Sequence, residues 1–539
     1  MKNFQIDEHE VNGKNNISNG KSNGTGEYIQ KDDGDAVQQA MGFLGRWQIL
    51  ICTAISLIKF PVAWHQLAIV FMAPKQGYNC TMPSFMNSTD QCRAEVNGSI
   101  VECSEWKFDT SVFPKTIISQ WDLVCSRDNY ANVQQSILMF GILLGSVSFG
   151  YFSDRFGRKI PLMIAILLQL ISGIGCAIVP WFSAFLFMKF ISAVATAGTM
   201  VTSYVICMEI VGKNWRAAIT ILYQIPYSLG HMSLAGLAYW FRNWQHLQLA
   251  ITLPSVVLLG YWWIVPESPR WLLAMGKQKA ACKVLRSAAK FNKLDDKDIP
   301  DIVRQHCLHQ KSKRTEFDGK PSILDLFRTP NMRMKSLSIF FNWTVCGMGL
   351  FGMSQYIGHV QGNIFINFAV SGIIQVPGNF VAWWTMNALG RRITLIISNL
   401  MTGVASFLII CVPAEMQWLK MIFACFGIVG MSVAFTTVYL YSGELFPTVV
   451  RNIGVGTSSM CARIGSMLAP FVVALAATQS WIPPVIFGVM PTIGAALCFL
   501  LPETAGCELP ETLEDGENFG KKKKNIGEET DLNEAEMAF

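Results

Sequence analysis

Few ionisable side chains interrupt the long apolar runs of this chain, and they are the ones able to do chemistry. Lys59 lies near the middle of the first run, His65 nearly two turns beyond it, and Arg463 in the middle of the eleventh. Glu209 and Glu444 stand toward the ends of theirs, each followed seven residues later by an arginine, Arg216 or Arg451, that is its natural partner. A charge at the centre of a bilayer costs about 2.5–3.5 kcal/mol on insertion scales, so each is a functional candidate by default. The chemistry open to them is recognition of an ion. Arg463 can take a carboxylate through paired, charge-assisted hydrogen bonds. No acidic residue lies near the middle of any run, so a permanent cation would rest on aromatic faces alone, each worth about 0.5–2 kcal/mol. This balance favours a ligand with at least one negative group, zwitterionic or anionic. The alternatives are structural: Arg463 capping a carbonyl or a helix end, Lys59 snorkelling or binding carbonyls at a kink near Pro61, and His65 as a satisfied core histidine.

Other chemistries lack their residues. The chain has no metal-spaced His/Cys cluster, no nucleophile elbow and no glycine-rich phosphate cradle with Lys and Ser/Thr, so neither an enzyme nor a metal site nor a cofactor is expected. The 539 residues are 51% hydrophobic and only 15% charged, the composition of a mostly membrane-embedded, all-α chain. Its net charge of +6 is modest and scattered through short loops, which sets nucleic acid aside. The expected partners are a small organic ion and the lipid bilayer.

The elements that must hold these groups are membrane spans, each of about 20 apolar residues. Twelve runs qualify: roughly 43–73, 132–152, 160–180, 184–210, 216–240, 246–265, 336–358, 363–387, 393–413, 417–441, 452–475 and 481–501. Their charged signatures occur twice. Asp154, Gly157, Arg158 and Lys159 recur 233 residues on as Asn387, Gly390, Arg391 and Arg392; Glu209 with Arg216 recurs as Glu444 with Arg451; Pro266-Glu267-Ser268 recurs as Pro502-Glu503-Thr504. Two six-helix halves in parallel, with a pathway at their interface, are one way to build a secondary transporter. A channel or a membrane receptor is the alternative from a different class, but neither accounts for the doubling.

The domains then read as a disordered cytoplasmic tail (1–42), a first six-helix half (43–265), a cytoplasmic linker of short amphipathic helices (266–335), a second half (336–501) and a C-terminal tail (502–539). Lys and Arg of the short loops fall on one side, which the positive-inside rule makes cytoplasmic. With no leader ahead of the first run, that run is expected to stay as an anchor. The loop 74–131 lies outside, with sequons at Asn79, Asn87 and Asn97 and with Cys80, Cys92, Cys103 and Cys125. Four cysteines suggest two disulfides among three possible pairings. A plasma-membrane protein with both termini in the cytoplasm is expected.

The stretch from Gly150 to Lys159 (Gly-Tyr-Phe-Ser-Asp-Arg-Phe-Gly-Arg-Lys) resembles the loop signature of the major facilitator superfamily. There Gly150 allows close helix approach, and Asp154 can pair with Arg155, Arg158 or Lys159 to latch the two halves on the cytoplasmic side. Arg391 and Arg392 repeat the basic residues, but Asn387 replaces the acid, so a second latch is weaker. Finer resemblance, to the organic ion transporters of solute carrier family 22 and their cation/carnitine-like members, insect ones included, is carried by Trp121 to Cys125, Pro266 to Trp271, Tyr439 to Pro447, Val450-Arg451-Asn452 and Leu501 to Thr504. It implies alternating access around a central polyspecific cavity, with organic cations, zwitterions such as carnitine, or organic anions as substrates. It also implies that Gln224 and Tyr227, from Tyr223-Gln-Ile-Pro-Tyr227, face the pathway together with Trp343, Gln375, Tyr439 and the charged Lys59, His65 and Arg463. Leu350 and Met200 stand where several relatives carry aromatics. Cation-transporting members carry an acid where this chain has Gln375, ahead of Val376-Pro377, and an Asp where it has Arg463. Ala462 to Ser466 resembles organic anion and carnitine-type members instead, whereas a polyspecific cation facilitator binding through aromatics remains the alternative. Whether sodium or protons couple to transport is open.

Overall fold

In a bilayer a spanning segment finds hydrogen-bond partners for its backbone only within its own turns, so the apolar runs fold as helices. The computed structural model describes residues 36–520 apart from 75, 83–86, 91, 97–98, 213–214, 314–321, 360–361, 414, 448, 508–509 and 511. The expectations for residues 1–35, 521–539 and Asn97 lie outside these. Twelve helices carry the fold: α1 Arg46–Leu67, α2 Asn129–Phe156, α3 Lys159–Ile178, α4 Phe182–Ile210, α5 Arg216–Trp240, α6 Trp244–Ile264, α7 Pro330–His359, α8 Ile364–Ala388, α9 Arg391–Cys411, α10 Gln417–Leu445, α11 Arg451–Ala474 and α12 Ile482–Cys498. Ten of them, among the described residues, are long and apolar enough to cross a membrane. The other two fall short for different reasons. α12 has 17 residues, and α5 is long but carries Tyr223, Gln224, Tyr227, Ser228 and His231.

Two helices break where proline removes a donor. Pro61 cannot bond the Leu57 carbonyl, which takes the Phe60 N–H instead at 3.1 Å, so α1 restarts at Lys59. Pro377 interrupts α8 in the same way, and its second segment opens at Gln375. The breaks put Lys59 and Gln375 at segment starts.

The segment between α1 and α2 adds β-structure that its polar sequence did not announce. Strand β1 (Tyr78–Met82) pairs antiparallel with β5 (Glu105–Phe108), and β2 (Asn87–Asp90), β3 (Arg93–Val96) and β4 (Ser99–Glu102) form a second small sheet. The disulfides are Cys80–Cys103 and Cys92–Cys125. Asn79 is exposed on β1, and Asn87 lies on β2. Between α6 and α7 lie helices at Pro269–Ala274, Gln278–Asn292 and Ile299–Lys313, and the second packs on the start of α1, where Asn292 accepts from the Trp47 N–H at 2.9 Å.

The doubled signature is doubled in space. Gly157 (φ +100°) turns the chain from α2 into α3, and Gly390 (φ +86°) turns it from α8 into α9. Over each turn lies a glutamate from beyond the last span of that half. Glu267 accepts the backbone N–H groups of Arg158 at 2.6 Å and Lys159 at 3.3 Å, and Glu503 accepts those of Arg391 at 2.8 Å and Arg392 at 3.1 Å. A carboxylate on a helix N-terminus contributes about 0.3–1 kcal/mol, rising toward 2 kcal/mol where partly buried. It also excludes a side chain on the glycine, since a Cβ would fall 2.4 Å from Glu267 Oε2 at Gly157 and 2.6 Å from Glu503 Oε2 at Gly390. We expect Gly157→Ala and Gly390→Ala each to cost about 1–3 kcal/mol through backbone strain. Thermal unfolding of the detergent-purified variants checks this, and melting curves that overlay the parent would disprove it.

Candidate functional site

The helices meet unevenly along their length. At the end bearing the disulfide-bonded loop, one apolar cluster joins both halves, from Phe71, Phe113 and Leu138 to Phe351, Phe365, Phe368 and Val473. At the opposite end, where Arg158 and Arg391 lie, two clusters stand apart. One gathers Ile51, Ile206, Ile219 and Leu285 around the first half, and the other gathers Ile339, Val438, Leu445 and Phe446 around the second. The space between the halves is therefore sealed by a shared core at one end only.

Between these ends sit the charged residues. Lys59 is buried, and its Nζ stands 4.5 Å from the centre of the Tyr223 ring and 5.8 Å from that of Tyr227. Tyr223 shares a 2.5 Å hydrogen bond with Ser203, and the Tyr227 hydroxyl donates to Gln66 Oε1 at 3.2 Å. Arg463, on α11, is 7% exposed and lies within electrostatic reach of Lys59, Tyr227 and Tyr439. Among the described residues its Nε has no hydrogen-bond partner; nor do Gln66 Nε2, either ring nitrogen of His65, or the side-chain oxygens of Gln134 and Gln135. Arg463 thus keeps a donor that a ligand could satisfy. Gln224 and Tyr439 are half-buried nearby. Trp343 lies one layer back, fully buried, with its Nε1 bonded to Ser442 at 2.8 Å and its ring 4.4 Å from that of Tyr439. Gln375, expected on the pathway, spends its amide on His231 Nδ1 at 3.1 Å and on the Ser371 carbonyl at 3.0 Å.

The buried ionisable residues that escaped the sequence reading include Lys189 and His231, each visible as a break in an apolar run. Lys189 on α4, 1% exposed, donates to Gln248 Oε1 at 2.7 Å with no acid beside it. His231 on α5, also 1% exposed, bonds across the interface to Ser371 and Gln375 on α8.

The basic signatures behave differently from the expected latch. Arg158 binds Glu209 at 2.8 Å and Asp154 at 2.7 Å, all within the first half, and Arg391 binds Glu444 at 3.0 Å within the second. Burial works to lower the Arg158 pKa, but Glu209 and Asp154 outweigh it and hold the guanidinium above its ordinary value. Asp154 is 78% exposed at its side chain, so in this conformation it latches nothing to the other half. Glu209 and Glu444 thus form their salt bridges with Arg158 and Arg391 rather than with Arg216 and Arg451, although Glu444 still acts electrostatically on Arg451, and the reason is physical. α4 ends at Ile210 and α10 at Leu445, so a residue seven positions on has left the helix and is no longer on the same face. Arg451 instead donates to the Phe446 carbonyl at 3.2 Å. Of the remaining basic residues, Arg155 donates to the Tyr151 hydroxyl at 3.2 Å, Lys159 stands 5.0 Å from the Trp262 ring, and Arg392 donates to the Phe499 carbonyl at 2.7 Å. A Cβ at Gly150 would meet nothing within 4 Å, so no close helix contact depends on it here.

Known proteins share this plan. Residues 66–515 match the sugar (and other) transporter family. An organic cation transporter protein of Drosophila melanogaster is 35% identical over 524 residues, covering 90% of this chain and 95% of its own. Solute carrier family 22 member 3 of Mus musculus is 38% identical over 429 residues, 79% of this chain and 76% of its own. The inward open conformation of the xylose transporter XylE from E. coli shares the fold with a TM-score of 0.63 at 16% identity, covering 88% of this chain and all of that one.

The corrected pairing can be measured. A double-mutant cycle of Arg158→Ala with Glu209→Ala, read as unfolding free energy, is expected to give a coupling of at least about 1 kcal/mol, as for residues in one ion-pair network. The cycle of Arg216→Ala with Glu209→Ala should give about zero within roughly 0.5 kcal/mol. The reverse order would restore the original assignment.

Proposed function

We propose, starting from the fact that this chain belongs to the sugar (and other) transporter family and is a transporter of the solute carrier 22 organic cation transporter type, that it carries small zwitterionic or carboxylate-bearing organic ions by alternating access. It is a multi-pass membrane protein. The observation that carries the substrate reading is Arg463 beside Lys59, with an unpartnered Nε and no acid in the middle of any span.

Magnitudes favour this reading. A substrate ammonium roughly 6 Å from one of these cations, at an effective dielectric of about 20, is repelled by on the order of 3 kcal/mol. One aromatic face returns about 0.5–2 kcal/mol. A carboxylate reverses the sign of the first term and engages the guanidinium fork through two parallel hydrogen bonds. The ammonium of a zwitterion then has the Tyr439 ring available, while Lys59 keeps the Tyr223 and Tyr227 rings. The names of the relatives support a second reading as a cation facilitator, in which Lys59 leaves its two rings and a substrate ammonium takes its place.

Orientation follows from charge. With the basic turns at Arg158 and Arg391 in the cytoplasm and the disulfide-bonded loop outside, the shared apolar core closes the outer end and the cavity opens inward. We read the protein as resident in the plasma membrane with both termini cytoplasmic. The halves rock about the cavity, so the outer core must part and the inner clusters must meet to expose it to the other side.

The test is uptake into proteoliposomes of carnitine, tetraethylammonium and an aromatic carboxylate such as para-aminohippurate, with sodium present or replaced. Saturable uptake of the first or third is expected. Arg463→Ala should reduce it by about 30-fold or more, the scale for truncating one side of a buried charge pair, without loss of reconstituted protein. Uptake of tetraethylammonium alone, or an Arg463→Ala carrier with parental affinity for carboxylates, would overturn the substrate reading.

A further inference from the structure

We infer that His231 is the positioning residue that clasps the outer gate, and that it does so only as a neutral imidazole. The inference rests on the alternating-access reading. Tyr223, Tyr227 and His231 are spaced four residues apart on α5, so they share a face that climbs from the cavity toward the closed end. His231 crosses the interface to α8. Its Nε2 lies 3.0 Å from Ser371 Oγ, and Gln375 Nε2 donates to its Nδ1 at 3.1 Å. Around this pair the gate is apolar: the Phe368 ring lies 4.2 Å from the imidazole and 4.9 Å from the Phe71 ring, and Phe71 stacks on Phe365 at 5.6 Å. The backbones are close as well. A Cβ at Gly372 would fall 2.6 Å from the Met232 nitrogen and 3.1 Å from His231 Cδ2.

One protonation state satisfies every partner. Ser371 gives its hydroxyl proton to the Phe368 carbonyl at 2.8 Å, so its oxygen accepts from His231 Nε2–H. Nδ1 is then the acceptor for the Gln375 amide. A second proton, on Nδ1, would point at that amide's own N–H groups. Turning the amide over would present its oxygen but give up its 3.0 Å bond to the Ser371 carbonyl. Nothing nearby answers the charge. α8 has no ionisable side chain. The ionisable residues on the other elements packed against α5 are Arg46, Cys52, Lys59 and His65 on α1, Lys189, Tyr204, Cys207 and Glu209 on α4, and His246 and Tyr261 on α6, with Arg216, Tyr223, Tyr227 and Tyr239 on α5 itself. Among the described residues none of these hydrogen-bonds to the ring, and the single acid, Glu209, stands at the far end of α4.

The closed gate therefore accommodates the neutral ring alone, whereas in the open gate water reaches the ring and can hydrate either form. The sign follows from linkage. Closure is fully supported where a free imidazole is neutral and is weakened as pH falls through about 6.5, where a free imidazole takes up a proton. Acid on the outer side holds the carrier open outward.

The test uses the full chain in proteoliposomes with two reporters read separately by peptide mass spectrometry after brief exposure to a maleimide. Ser136→Cys sits in the second outer contact between halves, where Ser136 bonds the Met467 carbonyl at 3.0 Å, and Met200→Cys lies on α4 against the inner cluster of the first half. Between pH 7.5 and 5.5, labelling at position 136 should rise about three- to tenfold, the scale of one lost hydrogen bond, while labelling at position 200 falls. In the His231→Gln background both should be flat with pH, and in His231→Leu the outer reporter should be raised at both values. Reciprocal labelling with the same pH profile in His231→Gln would overturn the clasp and leave alternating access standing. Labelling of both sites that never trades off would overturn alternating access and the clasp with it.

Discussion

A charge taken into a bilayer has to be answered, and this chain leaves its mid-membrane charges unanswered by acids. Lys59, Lys189 and Arg463 are all buried, yet the partners the structure gives them are a pair of tyrosine rings, a glutamine oxygen and electrostatic contact with two phenols. Each position is tolerable because its neighbours are polarisable or hydrogen-bonding and because water can enter a cavity between the halves. Under the proposed function the same shortage of acids would make the site selective. A fold satisfied by its own counter-charges would have to lose an ion pair before binding a substrate anion, whereas this one would gain a pair on binding it.

The duplication shows where the fold is constrained and where it is free. At the basic turns every role is kept twice: a glycine at positive φ, an arginine returning to the glutamate at the end of the fourth span of its half, and a second glutamate over the helix N-terminus. That geometry braces each half, as the proposed rocking motion would require. Away from the turns the copies diverge. Asp154 pairs with Arg158, but its counterpart Asn387 cannot, and Arg391 donates to the Met386 carbonyl instead at 3.3 Å. Rigidity is symmetric; recognition is not.

What the sequence made legible was set by range. The helices come from patterns within a single span, and all twelve could be read, including α5, whose polar face is too rich to score as a simple span. The buried cations Lys59 and Arg463 were legible because a charge in an apolar run needs no structural context. Long-range pairings were not. Four loop cysteines allow three connectivities, and only the register of β1 against β5 brings Cys80 and Cys103 together. The partner of Glu209 was misread because helical spacing was carried past the end of a helix. Gln375 matched a pathway position, but its engagement by His231 depends on how two helices from different halves meet, which no local pattern records. Lys189, the eighth residue of α4, was overlooked although it too interrupts an apolar run.

The outer and inner ends also differ in how they can be switched. A carrier needs its two closed states within a few kcal/mol of each other, since a larger gap would leave one of them too sparse to turn over. An apolar seal of several phenylalanines is too strong for that if each contributes about 1.5–3 kcal/mol when kept from water, unless the opposite closure buries a similar area. The Phe71, Phe365 and Phe368 seal must therefore be matched by joining the two separate clusters at the inner end, and most of the apolar term cancels around the cycle. What remains to tilt the balance is small and polar. Two hydrogen bonds on one histidine, at about 0.5–1.5 kcal/mol each, are of the size left over, so a lone polar contact in an apolar gate can set which way the carrier faces.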